Sequence, residues 1–365
     1  MNRRHLFGAA AALLATLGLA GCKDDSSPAA QQAAAQPAQT FHWKMVTSWP
    51  KNYPGLGTAA DRLAERINTM SNGRLTIKVY AAGELVPALE VFDAVSRGTS
   101  EMGHGTPYYW KGKVPAAQFF SSIPFGFSTG EMNAWIHKGD GQALWDEAYS
   151  AHGVKPFAAG NTTMQMGGWF NKEINSVDDL KGLKIRMPGL GGEVLAKLGA
   201  TTINLPGGEI FTSLQTGAID ATDWVSPYND LAFGLNKAAK YYYFPAWQEP
   251  QALVELLVNK AAYESLPADL KAIVAEASRA ATLDMMDDYT FNNAKALPAL
   301  IEQGTVLKRF PDDVLTALRE TSTQVITDVA AQSELATRIH ASQQDFLKKA
   351  TQMHQMTDKE IYQWR

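Results

Sequence analysis

Residues 178–230 read DDLKGLKIRMPGLGGEVLAKLGATTINLPGGEIFTSLQTGAIDATDWVSPYND, and their pattern decides the fold class. Residues 177–182 form a turn or short helix. Residues 183–187 alternate as a strand does, and 191–198 have helical spacing ending at Gly199. The cycle repeats: a strand at 201–205, a helix at 209–215 stopped by Gly217, and a strand at 219–224. Strands alternating with helices build βαβ units and a largely parallel sheet, so the fold class is α/β. Arg186 ends the first of these strands just before Pro188-Gly189, where a side chain can leave the sheet edge and face a cleft. Its planar guanidinium can grip a carboxylate through two parallel, charge-assisted hydrogen bonds. The alternative is a salt bridge to a nearby Asp or Glu.

Working outward, residues 155–159 and 164–170 read as strands that open this lobe. An earlier set of elements forms another lobe: a strand at 41–46, a turn at 53–55, and a helix at 59–70 with Leu63, Ile67 and Met70 on one face. A strand at 75–80 follows, with Leu75, Ile77 and Val79 on one side. A helix runs from Pro87, with Leu89, Phe92 and Val95 inward and Gly98 as its stop. Residues 101–105 are a short buried strand opening into the aromatic loop Tyr108-Tyr109-Trp110. Residues 251–258 read as a strand returning to the first lobe, and 267–300, 311–331 and 333–350 are helical. The expected organisation is one lobe of residues 41–163 and 251–292, a second of 164–250 and 293–328, and a helical C-terminal extension, 329–365. Two α/β lobes joined by crossing strands leave a cleft, where ligands settle.

The chain has 365 residues, of which 45% are hydrophobic and 19% charged. That suffices for one large core or two smaller ones. The formal net charge of −4 gives no basic surplus for nucleic acid, so an anion must bind at a local site. The N-terminus reads as an address. Arg3-Arg4 precedes an apolar stretch, 7–20, too short for a permanent membrane helix. Leu19-Ala20-Gly21-Cys22 resembles a bacterial lipobox, which makes Cys22 the expected lipidated first residue of the mature protein after removal of 1–21. Cys22 is the only cysteine, so no internal disulfide forms. Residues 3–7 also resemble a loose twin-arginine export motif. Residues 22–40 read as a flexible tether. The expected location is periplasmic, at a membrane surface, a setting that disfavours reactions needing ATP or reduced nicotinamide.

Five positions carry candidate chemistry, each at an expected strand end or loop facing the cleft. Besides Arg186, Gln165 offers a neutral oxygen to a hard cation or ligand, and Gly167-Gly168 permits close backbone approach. Asp223 beside Trp224 can ligate a cation while the indole walls a pocket. Glu249 is held extended by Pro250. Two carboxylates near one point repel unless a cation or Arg186 balances them. Tyr108-Tyr109-Trp110 supplies aromatic area and hydroxyl donors, and Trp49 is similar with less weight. Each residue also has a plain structural reading: solvent-facing strand glutamine, helix cap, exposed loop acid, core packing. Gly189-Leu190-Gly191-Gly192 reads as a turn and departs from G-x-G-x-x-G. His104 reads as structural. No repeat, zinc cluster, P-loop or activated nucleophile is present, so the pattern points to binding and not to an enzyme.

The 178–230 run, with the export signal, the two lobes and the helical C-terminal third, resembles the DctP-type extracytoplasmic solute receptors of TRAP transporters over most of residues 41–350. That resemblance implies a secondary transporter driven by an ion gradient, a membrane permease as partner, and Arg186 as the substrate-carboxylate ligand. The segments "DWVSPYND" and "WQEP" are similar to a subgroup that takes 2-oxo or 2-hydroxy monocarboxylates as metal complexes. The resemblance then implies a cation surrounded by Gln165, Asp223, Glu249 and the main-chain carbonyl of Trp224, with Tyr109 lining the substrate pocket. Subgroup members with one acid fewer use a monovalent ion. With both acids present, charge favours a divalent ion, and an all-oxygen ligand set favours calcium, with sodium or another cation as the alternative. A homodimer through the C-terminal helix is also implied. Two rival readings are the receptor of an ATP-driven importer and an exported carboxylate-processing enzyme.

Overall fold

A computed structural model describes residues 39–365. The export signal, Cys22 and the tether up to residue 38 lie outside the described residues. The strands are β1 (Phe41–Thr47), β2 (Leu75–Tyr80), β3 (Met102–Gly105), β4 (Val154–Asn161), β5 (Gly168–Phe170), β6 (Lys184–Arg186), β7 (Thr201–Ile203), β8 (Ala221–Thr222), β9 (Tyr241–Phe244), β10 (Leu253–Asn259) and β11 (Val306–Arg309). They form two sheets, in the orders β2-β1-β3-β10-β4 and β11-β9-β5-β8-β6-β7. In the first, β1 is parallel to β2 and β3, while β10 returns antiparallel between β3 and β4. In the second, β6 is parallel to β7 and β8, β9 is parallel to β11, and β5 is antiparallel to β8 and β9.

The chain therefore passes between the sheets along 162–167 and 245–252, and again through the long helix Ala268–Glu302. Gln165 lies on the first crossing and Glu249 on the second. The strand expected at 164–170 is realised only as β5. The backbone N–H groups of Gln165 and Met166 bond to the carbonyls of Glu249 and Val225, which lie outside the sheet, and only at Gly167 does the N–H reach β9, at Tyr243. The strand expected at 219–224 likewise shortens to β8, Ala221–Thr222, although the N–H of Asp223 still bonds to the carbonyl of Arg186 on the neighbouring β6. Gly189-Leu190-Gly191-Gly192 is not a turn. It opens the helix Gly189–Lys197 with Pro188 as its N-cap residue.

Other boundaries move for local reasons. The helix expected from Pro87 starts at Val91, leaving Leu89 half-buried. Met70 is 47% exposed at the frayed end of Leu56–Met70, while Leu63 and Ile67 are buried as expected. Strands β9 and β11, and the helices Thr129–Lys138 and Gly141–Ser150, fall where no element was assigned. Ser128 and Glu131 make a reciprocal capping box at the start of the first of these helices, a signal present in the sequence.

The C-terminal helix Glu334–Met356 docks on the first lobe. Arg338 forms a paired contact with Glu147 at 2.8 and 3.0 Å, Gln343 donates to the carbonyl of Phe119 at 2.7 Å, and Trp135 donates to Ser342 at 3.0 Å. Beyond this contact Met353, Met356, Ile361, Tyr362 and Trp364 are exposed. Among the described residues no helix is long and apolar enough to cross a membrane.

Candidate functional site

Arg186 is the last residue of β6 and is 1% exposed. Its Nη1 donates to the main-chain carbonyl of Asp223 at 2.8 Å, its Nε to that of Leu205 at 3.3 Å, and its Nη2 to the Tyr109 hydroxyl at 3.3 Å. The guanidinium lies 5.2 Å from the centre of the Trp224 ring, a cation–π distance. These bonds occupy three of the five guanidinium N–H groups and leave one on each terminal nitrogen for a further acceptor. The nearest carboxylate contact, Nη1 to Asp223 Oδ2, is 3.7 Å, too long for a hydrogen bond. The salt bridge to a nearby acid is thus present as a loose ion pair, and it leaves the two remaining N–H groups without a hydrogen bond.

Three of the candidate residues near it carry buried oxygens without hydrogen-bond partners, Gln165 Oε1, Asp223 Oδ2 and Glu249 Oε2, and so does the adjacent Gln248 at Oε1. Their residues are otherwise tied down. Gln165 Nε2 donates to Thr162 Oγ1 at 2.9 Å, and Asp223 Oδ1 accepts from Gln248 Nε2 at 3.0 Å. A buried polar group left unpaired costs about 1–3 kcal/mol, so three at one place call for a missing partner. Burial pushes the Asp223 carboxyl up to about 6 against the pull of Arg186 and Gln248. Burial and then the charge of Asp223 push Glu249 well above the ordinary carboxylate range, while Arg186 and Tyr108 oppose the shift. Burial works against the charge of Arg186 too, but Tyr109, Asp223, Tyr108 and Glu249 outweigh it and its pKa rises.

The orphaned oxygens fit a hard cation, which takes oxygen ligands and favours ionised carboxylates. Only two of these ligands are acids. Among the described residues no cluster of three or more His, Cys, Asp or Glu exists to hold a metal, so a cation here would need neutral oxygens beside the two acids, such as that of Gln165.

Trp49, Tyr108, Tyr109, Gln165 and Trp224 line an adjoining void of about 10 Å³, to whose walls Arg186, Asp223 and Glu249 do not contribute, the space of about one water-sized sphere. A groove of about 480 Å³ between Thr129–Lys138 and Ala268–Glu302 is larger, but it holds none of the candidate residues. Trp224 is held by its indole N–H, which donates to the Tyr53 hydroxyl at 2.9 Å. Tyr53 in turn donates to the carbonyl of Asn229 at 2.7 Å. A Cβ on Gly207 would stand 2.4 Å from the Trp224 ring, so only glycine leaves room for the indole there. Trp110 is not part of the site. It stacks on Phe92 in the core and donates to Tyr149.

Sequence reasoning underweighted Trp49, whose indole donates to His104 Nδ1 at 2.8 Å and whose ring lies beside Tyr109. His104 is structural as read. Burial lowers its pKa to about 4, so it stays neutral and serves as an acceptor. Gln248 and Tyr53 were missed. The only signal for Gln248 was its place beside Glu249.

Behind Trp224, the buried carboxylate of Asp230 accepts from Trp169 at 2.9 Å, Tyr242 at 2.5 Å and the Val225 N–H at 3.3 Å. Burial, only partly offset by these bonds, pushes its pKa up to about 7. The unfolded value is about 4, so between the two the folded chain keeps a proton that the unfolded chain has lost. This contribution to stability is complete below about pH 4 and is lost as the pH rises through about 7. Thermal melts from about pH 5 to about pH 8 are expected to show wild type losing stability relative to Asp230→Asn. Parallel profiles would contradict the assignment.

Residues 45–333 match the family model for bacterial extracellular solute-binding protein, family 7, DctP. The chain belongs to the DctP family. Over 351 residues it is 42% identical to the monocarboxylate 2-oxoacid-binding periplasmic protein of Nostoc sp., covering 96% of this chain and 94% of that one. Two solved DctP-like structures, both TRAP periplasmic solute-binding proteins, superpose closely. The one from Colwellia psychrerythraea, with bound calcium and pyruvate, is 39% identical with a TM-score of 0.87, covering 90% of this chain and 100% of that one. The one from Pseudoalteromonas atlantica, with bound sodium and pyruvate, is also 39% identical with a TM-score of 0.87, covering 89% and 99%. This DctP chain is thus an extracytoplasmic solute receptor with the two-lobe fold of TRAP receptors, which sets aside the importer driven by ATP.

Proposed function

We propose that this receptor binds a small 2-oxo or 2-hydroxy monocarboxylate together with a cation, calcium in the first instance, and delivers it to a TRAP membrane permease. The observation that carries the reading is the set of three unpartnered buried oxygens, on Gln165, Asp223 and Glu249, beside a guanidinium with N–H groups to spare. Arg186 takes the ligand carboxylate. Gln165, Asp223, Glu249 and the main-chain carbonyl of Trp224 hold the cation, and Tyr109 and Trp224 wall the ligand. When bound, the cation supplies a centre that the 2-oxygen and one carboxylate oxygen of the ligand chelate. Charge favours calcium over sodium. Arg186 balances one of the three negative charges of Asp223, Glu249 and the ligand, and the two that remain match one divalent ion. The names and ligands of the Nostoc, Colwellia and Pseudoalteromonas relatives support the ligand class.

The same reading assigns residues 41–163 and 251–292 to one lobe, 164–250 and 293–328 to the other, and 329–365 to a dimerisation extension. The exposed apolar side chains from Met353 to Trp364 support that last assignment. It places Cys22 as the lipid attachment point of the mature protein, tethered by residues 22–40, with export by the twin-arginine route. It gives the site no catalytic role, since no activated nucleophile stands among the candidate residues.

Calorimetry on protein dialysed exhaustively against EDTA tests the reading. Pyruvate and lactate are expected to give no binding heat until calcium is restored, with sodium a weaker substitute. Ligand at 100 times its Kd should then stabilise the fold by about 2.7 kcal/mol. Full pyruvate affinity in the chelated protein would remove the cation from the scheme.

A further inference from the structure

Gln165, Asp223 and Glu249 come from three separate stretches of chain, and one amide group touches all three stretches. Gln248, 1% exposed, immediately precedes Glu249 on the second crossing segment. Its Nε2 donates to the carbonyl of Met166 at 2.7 Å and to Asp223 Oδ1 at 3.0 Å. Met166 follows Gln165 on the first crossing. Both partners are acceptors, which fixes the nitrogen, not the oxygen, on this side. Backbone bonds run alongside: Gln165 N–H to the carbonyl of Glu249 at 3.3 Å, and Met166 N–H to that of Val225 at 3.0 Å. Gly191 packs against the root of this side chain, where a Cβ would stand 2.9 Å from Gln248 Cβ. Its own Oε1 has no partner, so the nitrogen alone makes the connection.

The chemistry of the residue type matters. Because Gln248 occupies Asp223 Oδ1, Oδ2 is the oxygen left over, and it is the one 3.7 Å from Arg186. A lysine here would bring a positive charge that competes with a cation. A glutamate would repel Asp223 and has no N–H to give. A neutral double donor holds Asp223 without cancelling its charge. We propose that Gln248 is a positioning residue of the binding site, whose amide nitrogen locks together the segments bearing Gln165, Asp223 and Glu249 and presents Asp223 Oδ2 to the cation. This rests on the cation-dependent function proposed above. Groups of this kind, one step removed from a metal, change affinity by about 10–100-fold when lost.

The test uses Gln248→Met, which keeps length and bulk without donors, and Gln248→Glu, which keeps shape but exchanges the donor for a charge. Calcium is titrated calorimetrically into each chelated protein, pyruvate is titrated with and without calcium, and melts in EDTA report folding. Gln248→Met is expected to fold but to melt below wild type, because the Met166 carbonyl and Asp223 Oδ1 lose their donor, to bind calcium about 10–100-fold more weakly, and to lose much of the gain that calcium confers on pyruvate. Gln248→Glu is expected to weaken as well, although charge alone would tighten calcium. Wild-type calcium affinity and pyruvate coupling in Gln248→Met overturn the proposal. If that variant does not fold, calcium binding in Gln248→Glu as tight as wild type overturns it instead. A wild type indifferent to calcium sinks the proposed function and this role with it. A calcium-dependent wild type with an equally dependent Gln248→Met sinks only the role of Gln248.

Discussion

Arg186→Ala is expected to weaken binding of pyruvate in the presence of calcium by ~2–5 kcal/mol, roughly 30-fold to several thousand-fold in Kd. The ligand carboxylate would be buried without its charged donor, the carbonyl of Leu205 would lose the bond Arg186 now gives it, and that of Asp223 would keep only the Thr222 hydroxyl. The counter-charge of Asp223 and Glu249 would vanish at the same time. Since Arg186 opposes the upward shift of both acids, they would hold protons more tightly, but the same change removes a positive charge that repels a cation, so the loss should fall on pyruvate and not on calcium. Arg186→Lys separates charge from geometry. Lysine restores a positive charge but not the planar fork that spans two carbonyls, a phenol and a carboxylate. It should recover pyruvate binding only in part. Calorimetry of the two variants decides the point, and wild-type pyruvate affinity in Arg186→Ala would end the assignment.

What the sequence showed about this site depended on whether the deciding interaction was local. The helices near 191–198 and 209–215 and the strand carrying Arg186 are set by residue spacing and by nearby Gly199 and Gly217, and they formed as expected. Arg186 was identifiable because a strand end before Pro-Gly is itself a local pattern. Gln165 was expected in a strand and lies on a crossing segment instead. Its neighbours bond to Glu249, Val225 and Tyr243, far along the chain, and no local pattern announces that choice. The aromatic run at 241–244 had strand character and still became central only because β5 and β11 paired with it. Gln248 could not be recognised at all. Its role exists only once Met166 and Asp223 stand on either side of its amide, and a lone glutamine beside an acid carries no such sign.

Glu249→Gln should have two large effects of opposite sign. In the cation-free protein Glu249 is a buried acid whose charged form is opposed first by burial and then by Asp223. Its folded-state pKa lies above the unfolded one, so its contribution to stability is full below the ordinary carboxylate range and is lost as the pH rises past its raised value. A glutamine has no proton to lose. The cation-free variant should therefore melt higher than wild type at and above neutral pH, and the gain should vanish in acid. Calcium affinity should move the other way, falling at least about 10–100-fold, or about 1.4–2.8 kcal/mol, because one of two charged ligands is gone. Arg186 would then balance one of the two remaining negative charges, of Asp223 and the ligand, and a single monovalent ion would complete the count. Sodium should gain on calcium as the supporting ion for pyruvate. Melting curves in EDTA across pH, with calorimetry in calcium and in sodium, measure both arms. If the variant melts lower and binds calcium as wild type does, Glu249 serves the fold and faces no cation.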